Sequence, residues 1–140
     1  MIRLMADNMC VGDVRFLWNL CRSDDLLRDL LDEAGVSLIE FADVGLSATS
    51  SDRAIREVCR DRDIVLMTID RKADDKDSLE ATLREETAGG RFAEAVPVVT
   101  FNRLRLDRET TLFAYELVEL LTDIDSYRGT GRQWLPKSFP

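Results

Sequence analysis

The sequence predicts a three-layer α/β/α domain with a mostly parallel central sheet of about four strands. Short apolar runs rich in β-branched residues alternate along the chain with stretches whose apolar residues have helical spacing. Strands that alternate with helices pair in parallel through right-handed crossovers, and helices cover both faces of the sheet. A length of 140 residues is enough for one domain with its own core and too short for two.

The first elements are a strand, two helices and a second strand. Residues 2–6 are short and apolar, which is typical of a buried strand, and residues 12–22 carry apolar side chains at helical spacing. A leucine-rich helix follows, with a favourable start in the run Ser23, Asp24 and Asp25 and a favourable end at Gly35. Residues 36–41 are expected to form the second strand.

The later elements follow a small, polar loop at residues 45–51. A third helix begins at Ser51 or Asp52, and Ile64–Ile69 is the strongest strand because it is apolar throughout most of its length. The remaining predictions are a helix from Asp77 to about Glu86, a strand at residues 95–101 and a long helix at residues 107–124. We expect the α/β domain to span residues 1–125 and residues 126–140 to form an irregular basic and aromatic tail.

The composition excludes several classes of function. The chain has no histidine, which excludes Ser-His-Asp and Cys-His catalysis and histidine-dependent zinc sites. Its three cysteines form no Cys-x-x-Cys motif and are expected to be reduced core thiols. No apolar run approaches the roughly 20 residues that span a bilayer, so we expect a cytoplasmic protein with no membrane partner. The net charge of −8 argues against unspecific binding to nucleic acid.

Three aspartates mark the expected functional site. Asp7 closes the first apolar run, Asp70 closes the run Ile64–Ile69, and Asp52 precedes the helix that leads into that run. Acids that end parallel strands lie at the carboxyl edge of the sheet, where such folds place their ligand sites. Acids gathered there repel each other unless a cation joins them, and oxygen ligands favour magnesium, manganese or calcium over zinc. The pattern therefore predicts a divalent-metal site.

Each of these acids also has a structural interpretation. Asp7 could cap the following helix, and Asp52 lies in a first helical turn, where the helix dipole favours an acid. Asp70 could pair with Arg71 or Lys72.

A fourth metal ligand is expected between residues 74 and 80, where the choices are Asp74, Asp75, Asp77 and Glu80. Asp77 is our choice, although Asp77 and Glu80 also have the spacing of a capping box.

The basic segment near the end of the chain is the expected contact for a phosphate or RNA. Arg128 and Arg132 are separated by flexible glycines and flanked by Tyr127 and Trp134, which suits phosphate contact and base stacking. Arg71, next to Asp70, is a further candidate for phosphate contact. The structural alternative is a surface tail that packs its aromatic residues onto the domain.

The order of these segments resembles the PIN-like domain family, the fold of VapC-type toxin ribonucleases and their relatives. The matching segments are residues 4–8 (LMADN), residues 45–55 with their helix start (SDRAI), and residues 64–71 (IVLMTIDR), so the resemblance covers roughly the first 80 residues. The chain also looks like a group of uncharacterised bacterial PIN-like proteins that share its DSLE and RGTGR segments.

The resemblance implies a metal-dependent ribonuclease, toxin-like in class, that uses Mg²⁺ or Mn²⁺ to hydrolyse RNA. Asp7, Asp52 and Asp70 would be its catalytic metal ligands, with one acid of the following segment, taken here as Asp77, as the fourth. Its implied partners are an RNA substrate, an antitoxin or another basic protein, and a second copy of the chain.

The sequence leaves two alternatives to the ribonuclease. The chain lacks the aromatic residue that the family has shortly after the Thr-x-Asp acid, since Lys72 and Ala73 stand there. The first alternative is therefore a catalytically inactive PIN-like interaction module in which the acids are structural. The second, a phospho-receiver domain, is disfavoured because Asn8 rather than a second acid follows Asp7 and no lysine follows the last predicted strand.

Overall fold

A computed structural model describes residues 2–69, 79–89 and 92–137. Its centre is a sheet in which every pairing is parallel and the strand order is β2-β1-β3-β4-β5. The strands are β1 (Arg3–Ala6), β2 (Ser37–Ile39), β3 (Ile64–Ile69), β4 (Val98–Phe101) and β5 (Arg132–Leu135). With helices on both faces, this sheet confirms the predicted three-layer α/β/α class.

The helices divide between the two faces of the sheet. One face packs against α1 (Val11–Ser23), α2 (Asp25–Ala34), α5 (Arg103–Arg108) and α6 (Thr110–Thr122). The other face packs against α3 (Asp52–Asp61) and α4 (Leu79–Gly89). Short 3-10 helices lie at Asn8–Cys10, Phe41–Val44 and Ile124–Tyr127. None of the helices that the structure describes is long and apolar enough to cross a membrane.

Local capping explains where the predicted helices begin and end. The Asp24 side chain accepts a hydrogen bond from the Leu27 amide at 3.0 Å, which satisfies a donor that the helix itself leaves unpaired. Gly35 ends α2 with φ +72°, a conformation in which a residue with a Cβ is strained. Ser51 caps α3 by accepting from the Ala54 amide at 3.1 Å. The sequence signals at these three positions therefore give the correct boundaries.

The end of the chain differs from the prediction in two respects. Within the described residues the sheet has five strands rather than about four, because Arg132–Leu135 pairs with β4 as an edge strand instead of belonging to an irregular tail. The helix expected at residues 107–124 is present as α6 from Thr110 to Thr122, and a separate short helix that was not expected, α5, precedes it at Arg103–Arg108. Asn102 starts α5 by accepting hydrogen bonds from two amides of its first turn. The predicted start of α4 at Asp77 lies outside the described residues.

One crossover connection departs from the expected uniform handedness. The connections from β1 to β2, from β2 to β3 and from β3 to β4 share one hand, given the strand order and the face on which each connecting helix lies. The connection from β4 to β5 runs over the α1 face through α6, which gives it the opposite hand. Such reversals are rare in parallel sheets. The prediction of right-handed crossovers throughout is therefore wrong for this last connection.

A buried ion pair fixes α4 against α3. The guanidinium of Arg56 is fully buried and donates three hydrogen bonds of 3.0–3.1 Å to the carboxylate of Glu86. Arg60 reaches the same carboxylate at 3.3 Å and stacks over the ring of Phe92, with 4.1 Å from its guanidinium carbon to the ring centroid. These contacts hold the carboxyl-terminal half of α4 against the middle and the carboxyl-terminal end of α3.

Candidate metal site at the carboxyl edge of the sheet

A row of three polar side chains crosses the carboxyl edge of β1, β3 and β4, the three central strands of the sheet. Asp7 directly follows β1, and its amide donates to the Met67 carbonyl at 2.8 Å, which extends the pairing with β3 by one residue. Thr68 pairs in register with Thr100 of β4. Side chains alternate between the two faces of a strand, so Asp7, Thr68 and Thr100 all point to the face covered by α3 and α4. We call these three residues the polar row.

Asp7 is a buried carboxylate that caps no helix. Its side chain is 5% exposed and accepts a hydrogen bond from the Thr68 hydroxyl at 3.1 Å. The 3-10 helix Asn8–Cys10 and the following α1 have no side-chain capping hydrogen bond at their starts. Burial of a carboxylate costs free energy unless its charge is compensated. The capping explanation that the sequence allowed for Asp7 therefore finds no support in these contacts.

Thr100 adds a second polar group to the row. Its side chain is 2% exposed, and within the described part of the chain its hydroxyl oxygen has no hydrogen-bond partner. Buried hydroxyl groups are nearly always hydrogen-bonded to protein, to ordered water or to a ligand. The Thr100 hydroxyl thus supplies a donor and an acceptor beside Thr68, on the face to which Asp7 points.

Asp52 connects the starts of the two helices on this face. Ser51, not Asp52, caps α3. The Asp52 carboxylate instead accepts a hydrogen bond from the amide of Leu79, the first residue of α4, at 3.3 Å. Helices that connect parallel strands begin at the carboxyl edge of the sheet. The structure therefore places Asp52 at the same edge and on the same face as Asp7, and the contact with Leu79 gives it a structural role as well.

The other predicted acids fall in residues 70–78, which lie outside the described residues. They are Asp70, Asp74, Asp75 and Asp77, and Arg71 lies there too. Among the residues that are described, no group of three or more acidic, thiol or imidazole side chains could hold a metal ion. Asp7 and Asp52 are thus the two predicted metal ligands that the structure locates.

Glu80 and Arg132 form an ion pair beside this edge. Glu80 lies in the first turn of α4 and contacts the Arg132 guanidinium, which is 5.0 Å from the centroid of the Trp134 ring. Arg132 and Trp134 belong to β5 and point to the α4 face by strand alternation. Arg132 therefore brings a positive charge to the start of α4, and its charge is balanced by Glu80.

Arg128 lies at the opposite edge of the sheet. Its guanidinium pairs with Asp63 at 3.0 Å and with Asp125 at 2.8 Å, and donates to the Glu94 carbonyl. Asp63 directly precedes β3, whereas Asp7 lies beside the carboxyl end of β3. At the usual rise per residue of a strand, these two ends of β3 are about 16 Å apart. The structure does not bring Arg128 together with Asp7.

The cysteine nearest the polar row is not a reactive thiolate. The Cys10 thiol donates to the Met67 carbonyl at 3.3 Å, and its pKa is raised from 9.0 to about 12. Burial is the main cause of this pKa shift, and the carboxylates of Asp7 and Asp13 add to it. The thiol is therefore protonated at neutral pH, so oxygen atoms are the ligands available at this edge.

Sequence reasoning missed the two threonines of the row. Thr68 and Thr100 are β-branched, so they support the strand prediction and attract no further notice. The available signal was their position: each is a polar residue on a strand whose other residues are apolar.

Comparisons with family models, with curated proteins and with solved structures found no match for this chain.

Proposed function

We propose that the protein is a metal-dependent ribonuclease that hydrolyses phosphodiester bonds at the carboxyl edge of its sheet. The observation that supports this most is the buried Asp7 carboxylate, which ends β1, caps no helix and faces the starts of α3 and α4. Open parallel sheets bind their ligands at this edge. The choice of RNA as substrate rests on the resemblance to PIN-like ribonucleases in the sequence.

The donor atoms of the edge fit a hard divalent cation. The site offers carboxylate and hydroxyl oxygens, the chain has no histidine, and the neighbouring thiol is protonated. Such donors suit Mg²⁺ or Mn²⁺. Asp7 and Asp52 would hold the ion together with Asp70, which directly follows β3 in the sequence, and Asp77. When bound, the ion polarises the phosphate and lowers the pKa of an attacking water.

The chain's own residues orient the two located carboxylates. The Thr68 hydroxyl holds one oxygen of Asp7, and the Leu79 amide holds one oxygen of Asp52. Each carboxylate is thereby held in one orientation by a strand or a helix, so its side chain loses less freedom when an ion binds. Arg132 lies on the same face and supplies a positive charge that can contact a substrate phosphate if it exchanges Glu80 for that phosphate.

Cleavage of a labelled single-stranded RNA in the presence of Mn²⁺ tests the proposal. Asp7→Asn keeps the size of the side chain and removes its charge, so we expect at least a hundredfold loss of activity. Thr68→Val removes only the hydroxyl that orients Asp7, and we expect a smaller loss that higher Mn²⁺ partly restores. The matched control is Asp63→Asn, the same chemical change at the opposite edge of the sheet. Full activity of Asp7→Asn would overturn the assignment.

A second candidate is a non-catalytic interaction module, and the contact between Asp52 and Leu79 favours it. In that case the carboxylate serves to hold the start of α4 against α3. A net charge of −8 suits a basic partner such as an antitoxin. The module predicts that the folded protein does not bind Mn²⁺, whereas the ribonuclease requires binding.

A further inference from the structure

A pocket of about 220 Å³ opens at the carboxyl ends of β1 and β2. It lies between these strands, α1 and the 3-10 helix Phe41–Val44, and its lining combines residues from both faces of the sheet at the end of β2. Its walls are mostly apolar and include Ala6, Val14, Leu38, Ile39 and Phe41, and Asn8 adds a side-chain amide.

The pocket and the candidate metal site share a boundary. Asn8 lines the pocket and follows Asp7 directly in the chain, so their Cα atoms are about 3.8 Å apart. Ala6 and Asp7 point to opposite faces of the sheet. A polymer that crosses the carboxyl edge of β1 can therefore place one group in the pocket and the adjoining group at Asp7.

The charges at the pocket favour a neutral ligand. Arg15 of α1 and Glu40 after β2 form an ion pair across the lining, and their side chains are 55% and 61% exposed. The two charges cancel, so the pocket offers no net charge to a free anion or cation. The other walls are mostly apolar, which suits an uncharged group.

From these features we infer that the pocket binds one nucleobase of the RNA, with the adjoining phosphate directed to Asp7. Bases of single-stranded RNA are bound by stacking on aromatic rings and by hydrogen bonds to their polar edges. Phe41, a half-buried residue that lines the pocket and also packs against the core beneath α3 and α4, provides the ring, and the Asn8 amide provides both a donor and an acceptor. This inference rests on the proposed ribonuclease function and extends it to base recognition.

Binding of the four ribonucleoside 5′-monophosphates, followed by NMR without divalent metal, tests the pocket apart from catalysis. We expect saturable chemical-shift changes at Val14 and Leu38, strongest for one or two of the bases. Ala42 is exposed and lines the pocket, so Ala42→Phe fills the pocket from its rim and should weaken binding at least tenfold. Asn8→Ala should reduce the preference between bases. The control is Ala93→Phe, the same change at an exposed position near the opposite edge.

The outcomes separate the pocket from the ribonuclease. Nucleotide binding that Ala42→Phe abolishes, together with cleavage that Asp7→Asn abolishes, supports both proposals. If nucleotides bind and Ala42→Phe abolishes this binding, but the wild type does not cleave RNA, the pocket proposal is supported. In that case only the proposed function is overturned. If no nucleotide binds, or if Ala42→Phe and Asn8→Ala bind as the wild type does, the pocket proposal is overturned even when RNA is cleaved.

Discussion

Replacing Glu86 with glutamine leaves the guanidinium of Arg56 buried without a counter-charge. Arg56 is fully buried, the Glu86 side chain is 5% exposed, and three hydrogen bonds of 3.0–3.1 Å join them. Removal of one partner from a buried pair costs about 3–5 kcal/mol, because the remaining charge cannot reach water. Glutamine keeps one acceptor oxygen, so we expect Glu86→Gln near 3 kcal/mol and Glu86→Ala near 5 kcal/mol, as order-of-magnitude values.

Urea unfolding followed by far-UV circular dichroism at pH 7 measures this loss directly. The free energy of unfolding should fall by about 3 kcal/mol in Glu86→Gln, with an unchanged dependence on urea concentration. For a chain of this size the corresponding drop in Tm is about 10 °C.

A neighbouring residue supplies the control for this prediction. Glu85→Gln removes the same charge from the next residue of α4, but the pair that Glu85 forms with Arg53 is exposed. Exposed pairs contribute little to stability, so Glu85→Gln should unfold nearly as the wild type does. Replacing both buried partners with apolar residues, as Arg56→Met with Glu86→Leu, should recover much of the loss. If Glu86→Gln were as stable as Glu85→Gln, the buried pair would not contribute the stability that we expect of it.

Two further predictions concern the thiols and the glycines. Burial raises the pKa values of Cys10 and Cys59 from 9.0 to about 12, so neither thiol should react with a disulfide reagent at pH 8 until the protein is unfolded. Because the unfolded thiols ionise first, the free energy of unfolding should be insensitive to them below pH 9 and fall as the pH rises toward 12. Rapid reaction of the native protein, or stability that does not fall over this range, would contradict this. Gly129→Ala places a Cβ 2.6 Å from the Ala93 carbonyl oxygen at φ +80°, whereas Gly35→Ala meets nothing within 4 Å at φ +72°. Thermal melts should therefore show a loss of about 1 kcal/mol for Gly35→Ala and a clearly larger loss for Gly129→Ala; equal losses would contradict the close approach.

Local signals in the sequence account for the elements that were predicted correctly. The run Ile64–Ile69 is long and apolar, and Ser51 and Gly35 have clear capping chemistry. The strand Arg132–Leu135 was missed because it is short, carries polar residues and lies at the edge of the sheet, where only pairing with β4 makes it a strand. The reversed hand of its crossover depends on α6 packing against α1 and α2, which no local pattern encodes.

The sequence predicts the part of the candidate site that lies directly at a strand end. Asp7 follows from the rule that an acid after a buried strand lies at the carboxyl edge. The expected joint role of Arg128 and Arg132 came from their closeness in the chain. In the structure Arg128 pairs with Asp63 beside the start of β3, whereas the Arg132 side chain reaches Glu80 at the start of α4. Closeness in sequence does not fix which edge a long side chain reaches.

Isothermal titration of the folded protein with Mn²⁺ measures whether Asp7 belongs to a metal site. We expect saturable binding by the wild type, loss of that binding in Asp7→Asn, and binding close to that of the wild type in Asp63→Asn, which carries the same change at the other edge. Melting curves of the three proteins would show that each is folded. Absence of binding by the wild type, or equal binding by Asp7→Asn, would contradict a metal site at the carboxyl edge of this sheet.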